Sequence, residues 1–91
     1  MARLGMDVDV VEQNASKLKG KGEEIDHIIS SLEGLVGEIH GAWDGKDSNE
    51  FSNSEWPRYR KQLQTISQQL KAFGDLARRN ADRQRTESSH L

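Results

Sequence analysis

Three histidines, six of the nine serines, four of the seven arginines and one Trp-Asp-Gly tripeptide are the parts of this chain whose types suggest chemistry. His27, His40 and His90 could serve proton transfer or zinc, but they are not spaced as ligands on one helix face. Ser30, Ser31, Ser48, Ser52, Ser54 and Ser67 have no nucleophile elbow around them. No glycine-rich phosphate loop follows a strand, because no segment reads as a strand. Cysteine is absent, so neither a disulfide nor a thiolate metal site can form. Arg78, Arg79, Arg83 and Arg85 form a basic run, but Asp75, Asp82 and Glu87 interleave with them at helical spacing. That pattern is an ion-paired, solvated face rather than a nucleic-acid footprint. These residues together read as a non-enzyme with no catalytic, cofactor or metal site and no nucleic acid as partner.

What remains is the stretch "GAWDGKDSNEF", residues 41–51, with Trp43 two residues before Gly45. Its meaning depends on the elements that hold it. Upstream, Leu4, Val8, Val11, Ala15, Leu18, Gly22, Ile25, Ile29, Leu32, Val36, Ile39 and Trp43 recur at alternating steps of 4 and 3. A 3.5-residue period held this long predicts one helix with a coiled-coil-like seam. Ile28, Leu35 and Ala42 add a flank, so the apolar face widens towards the helix C-terminus. Asp7 is the expected N-cap, and a helix over about 7–41 would be roughly 50 Å long. "KGKG" at 19–22 is a candidate break, but the heptad phase is unchanged across it.

Downstream, Trp56, Tyr59, Leu63, Ile66, Leu70, Phe73 and Ala77 form a second seam. Asp47 and Glu50 read as a capping box, placing helix two over about 48–82. Pro57 predicts either a separate turn before a main helix that starts near Glu55, or a bend in one helix. Past Ala77 the repeat fails at Asn80, and residues 83–91 read as a frayed tail.

Two seamed helices with a connector at about 42–47 give an all-α, antiparallel helix-turn-helix hairpin. Gly45 is expected to take a positive φ in the reversal. Trp43, in phase with the first seam, is expected to close the end of the interhelical groove over Phe51. The seam residues singled out for hairpin or dimer contact are Val11, Leu18, Ile25, Ile28, Ile29, Leu32, Leu35, Val36, Ile39, Phe51, Trp56, Tyr59, Leu63, Ile66, Leu70 and Phe73.

The totals fit one small domain. The chain has 91 residues, 33% hydrophobic and 31% charged, which is lean for an isolated globule. Its net charge of −2 names no partner. Residues 1–46 carry five Lys/Arg against nine Asp/Glu, and residues 47–91 carry eight against six. That asymmetry biases the two helices, or a partner's two ends, towards one orientation. No apolar run approaches transmembrane length, and the start has no secretory h-region.

Trp43-Asp44-Gly45 at mid-chain, with Ala42 before it and Phe51 eight residues after the Trp, between two seamed helices in a Cys-free chain, resembles the WXG-motif, ESAT-like family of type VII secretion substrates. The resemblance covers nearly the whole chain. It implies a hairpin that pairs with a second hairpin, its own copy or a related chain, into a four-helix bundle dimer. It also implies export by a membrane ATPase without a cleavable signal peptide, from a cytoplasmic precursor. Exported pairs of this family carry Tyr-x-x-x-Asp/Glu after helix two on at least one member. Here the only tyrosine is Tyr59, and four residues on stands Leu63. The resemblance therefore favours a heterodimer over a homodimer, with the partner engaging the ATPase. The alternatives are an unexported intracellular helical-hairpin adaptor and a helical nucleic-acid binder using the C-terminal arginines. Contact with a membrane is left open.

Overall fold

The computed structural model describes residues 5–89. Leu4 and His90 lie outside the described residues. α1 runs over Val8–Ala42, 35 residues or about 52 Å of helix. Its first turn is closed by Asp7, whose Oδ1 accepts the Val10 N–H at 3.3 Å, with Asp9 near the positive end of the dipole. The helix passes through Lys19–Gly22 without interruption, as the unbroken heptad phase implies.

The chain reverses through extended backbone. Trp43 has φ −133° and ψ 100°, and Gly45 has φ −167° and ψ 164°. No described residue has a positive φ. The expectation of a left-handed Gly45 is thus corrected, and its smallness has another cause, described below.

The second arm is longer than the sequence predicts at both ends. α2, Lys46–Glu50, starts with Gly45 as N-cap and no side-chain cap, so Asp47 and Glu50 do not form the expected box. A π-helical turn, Phe51–Glu55, follows, and α3 continues over Trp56–Ser89. Glu50, Phe51 and Trp56 are all right-handed helical, so α2, the π-turn and α3 form one continuous arm. The physical reason lies in the spacing. The apolar step from Phe51 to Trp56 is five residues, one more than a heptad step allows. A wide turn absorbs the extra residue, with the Trp56 N–H bonded to the Phe51 carbonyl. Pro57, which has no N–H to give, follows directly without ending the helix.

At the far end the helix runs past 82, where a frayed tail was expected. Ala81 is fully buried, and Arg85 reaches across to Asp9 at 3.4 Å and Glu12 at 3.2 Å. These contacts tie the last turns to α1, which the failed apolar repeat at Asn80 does not reveal.

The two arms meet through small residues. Ala15, Gly22 and Ile29 on α1, and Ser67, Gly74 and Ala81 on α3, are buried at seven-residue steps. A Cβ added to Gly22 would lie 3.2 Å from the Ser67 carbonyl oxygen, and one added to Gly74 3.0 Å from that of Ala15. The helices therefore approach backbone to backbone, which only small residues permit. The result is a rod of 68 × 19 × 16 Å. Its radius of gyration is 20.1 Å, against about 12 Å for a compact domain of this length.

Candidate functional site

One edge of the hairpin is polar and internally paired. Glu12, Lys19, Asp26, Glu33 and His40 occupy one heptad position of α1, and each bonds to the second arm. Lys19 Nζ lies 2.7 Å from Asp75, and Lys71 Nζ lies 2.6 Å from Asp26. The Ser67 hydroxyl sits 2.6 Å from Asp26 Oδ1 and 2.9 Å from the Gly22 carbonyl oxygen, so its single proton is shared. Glu33 accepts from Trp56 Nε1 at 2.8 Å and from Arg60 Nη1 at 2.9 Å. His40 Nδ1 lies 3.3 Å from Ser48 Oγ at the tip. Hydrogen bonds from Lys71 and then Ser67 hold Asp26 below the usual carboxylate range. Arg60 and then Trp56 do the same for Glu33, and Lys19 for Asp75. This edge fixes the register of the arms.

The neighbouring face is apolar and is not covered by either arm of the hairpin. Val11, Leu18, Ile25, Leu32, Val36, Leu63 and Leu70 are half-buried along its floor. Ile28, Leu35, Ile39, Phe51, Tyr59, Ile66 and Phe73 stand exposed along its length, Phe73 at 61%. Of the seam residues read from the sequence, only Ala15, Gly22, Ile29 and Trp56 are buried in the hairpin itself. The structure therefore assigns hairpin closure chiefly to the small-residue ladder, and leaves most of the apolar seam on an open face. A groove of about 250 Å³ between Val10, Leu18, Phe73 and Ala77 opens on this face near the chain ends.

At the other end stands the tripeptide. Trp43 is 51% exposed, so it does not close the hairpin groove as expected. Its indole instead lies over Gly45, where an added Cβ would be 3.0 Å from Trp43 Nε1. That contact, rather than a turn conformation, is what glycine provides. Beside the indole is a notch of about 240 Å³ lined by Val36, Ile39, Trp43, Ser48, Phe51 and Ser52. The Phe51 and Tyr59 rings are 6.3 Å apart and tilted by 54°, and the Arg58 guanidinium lies 5.3 Å over the Tyr59 ring.

Sequence reasoning missed the polar edge and the second-arm half of the small-residue ladder. Both carried a seven-residue signal, at 12, 19, 26, 33 and 40 and at 67, 74 and 81, but a search for apolar repeats passes over it. Among the described residues, no group of His, Asp and Glu is arranged to hold a metal ion, and no helix is long and apolar enough to cross a membrane.

An elongated all-α hairpin with a Trp-x-Gly reversal and one bare apolar face defines a class of small helical-hairpin proteins. The chain belongs to the WXG100 family, described as proteins of 100 residues with WXG, whose pattern matches residues 3–88. Members are small, non-enzymatic, type VII secretion substrate-like proteins that typically pair as helical hairpins. No curated protein and no solved structure is significantly similar to the chain.

Proposed function

We propose that this protein is a non-enzymatic type VII secretion substrate or co-substrate that acts as one half of a helical-hairpin dimer. The observation that carries this reading is the apolar face, exposed from Val10 to Trp43 on the first arm and from Phe51 to Leu76 on the second. Exposed apolar surface on this scale marks an interaction site. The partner is a second, related hairpin, which completes a four-helix bundle by covering that face. A heterodimer is favoured because the chain has no Tyr-x-x-x-Asp/Glu, its one tyrosine being Tyr59 with Leu63 four residues on. The partner then presents the pair to the secretion ATPase, and the chain leaves the cytoplasm with it.

The same missing motif favours a second reading, a helical-hairpin adaptor that pairs inside the cell and is not exported. Co-purification from the native cell, followed by a culture-supernatant blot with and without the recovered partner's gene, separates the two. Partner-dependent appearance in the supernatant supports export. A stable pair confined to the cell supports the adaptor, and recovery of the chain alone as a stable monomer excludes both.

A further inference from the structure

The pairing face by itself does not explain why the second arm contains a π-turn. From Trp56 to Phe73 its apolar residues step by three and four, but the step from Phe51 to Trp56 is five. In an unbroken α-helix Phe51 would lie about 80° round the axis from Tyr59, eight residues on. The wide turn over Phe51–Glu55 takes up one residue, so those eight count as seven, and the two fall within about 20° of one line. Three observations bear out the alignment. The Phe51 ring is 6.3 Å from Tyr59, Ser48 is turned inward and buried to 2% exposure, and Phe51 lines the notch with Val36, Ile39 and Trp43.

We propose that the π-turn is a positioning element for partner binding. It swings Phe51 into place as a wall of the tip notch, and the notch takes one large apolar side chain from the partner hairpin. This rests on the pairing reading above. The notch is continuous with the open face through Ile39 and Phe51. At about 240 Å³ it exceeds a cavity that holds benzene, of about 150 Å³, and falls short of usual small-molecule sites, which begin near 300 Å³. One leucine-, isoleucine- or phenylalanine-sized group matches that space. None of its six lining residues is charged, so a charged group would be desolvated there without compensation.

The test uses the hairpin pair as purified from the native cell, with dissociation constants from sedimentation equilibrium over a dilution series. Phe51→Ala is expected to weaken pairing about 10–100-fold, the range for an anchoring aromatic. Inserting an alanine after Asn53, which is exposed and within the π-turn, is expected to turn Phe51 about 100° further round the axis and weaken pairing to the same degree. Phe51→Ala should then add little in the insertion background, because Phe51 has already left the notch. Asn53→Ala keeps the residue count and should pair like the parent. Should the insertion lose helicity by circular dichroism, 5-fluorotryptophan resonances decide instead. The Trp43 signal, assigned with Trp43→Phe, should be shielded from a soluble gadolinium chelate in the paired parent but not in Phe51→Ala. An unchanged dissociation constant in Phe51→Ala, or its full penalty persisting after the insertion at Asn53, overturns this proposal while the pairing reading stands. Failure of the parent chain to pair overturns both.

Discussion

Trp43 is held by Gly45 more than by the hairpin. Half of its surface is open, so the packing it can lose within one chain is small. Truncating a buried aromatic costs about 3–5 kcal/mol, and here most of that penalty should appear only when a partner covers the indole. Trp43→Ala should therefore leave the helicity of the dilute chain close to the parent's, while weakening pairing at least about tenfold in sedimentation. A large loss of helicity in dilute chain would mean that the indole supports the reversal itself. The carboxylates of the polar edge behave differently. Asp26, Glu33 and Asp75 titrate below their ordinary range because Lys71, Arg60 and Lys19 hydrogen-bond to their charged forms. A lowered folded-state pKa means that the stabilisation is fully present above the ordinary carboxylate range, near pH 4, and is lost as pH falls through the lowered values. The melting temperature should be flat from pH 7 to about pH 5 and decline below about pH 4. Asp26→Asn should show a shallower decline on that acid limb, and an identical pH profile would show that the Lys71 pair carries none of it.

At the level of the helices, the glycines separate into two kinds. Gly34 has nothing within 4 Å of an added Cβ, so Gly34→Ala should gain about 1 kcal/mol from helix propensity alone. Gly74 has the Ala15 carbonyl oxygen at 3.0 Å and Lys19 Cγ at 2.6 Å from its added Cβ. The lysine can move, but the backbone cannot move without separating the arms. Gly74→Ala should therefore cost about 1–3 kcal/mol despite the same gain in propensity. Urea unfolding of the two variants checks this, and equal effects would show that the arms are not in backbone contact at Gly74. The same contrast explains what the sequence disclosed. The 3.5-residue period of Val8 to Trp43 announced a long helix, and a mid-chain Trp-x-Gly between two such periods announced the hairpin and its family. It did not disclose that, within that period, Ala15 and Gly22 close on Ser67, Gly74 and Ala81. Hydrophobic periodicity marks every surface that avoids water, and does not distinguish a contact within the chain from one awaiting another chain. Close approach is signalled by smallness, and smallness at Ser67 or Gly74 reads locally as polarity or flexibility. The wide turn was half-visible, since the five-residue step from Phe51 to Trp56 was present but Pro57 suggested a break.

The molecule as a whole is a rod without an adequate core of its own. Among the described residues, the buried apolar side chains apart from Ile29 and Trp56 are alanines, while ten larger apolar side chains stand exposed. With ordering entropy of about 1–2 kcal/mol per residue to offset, burial on this scale leaves a single hairpin marginal. Covering the open face supplies the missing burial, so folding and pairing should be coupled by mass action. The melting temperature should accordingly rise with protein concentration over a hundredfold range, and light scattering on chain purified with its partner should give about twice the 10.3 kDa of one chain. If the chain expressed alone shows the same doubling and the same concentration dependence, the partner is a second copy, and the preference for a heterodimer is reversed. If the heterodimer is the functional form, the chain alone should be poorly folded and acquire sharp, cooperative melting only when the partner is added. A cooperative transition at one temperature across the whole dilution series, at a mass of 10.3 kDa, would show that the small-residue ladder and polar edge suffice for folding and that the open face serves another purpose.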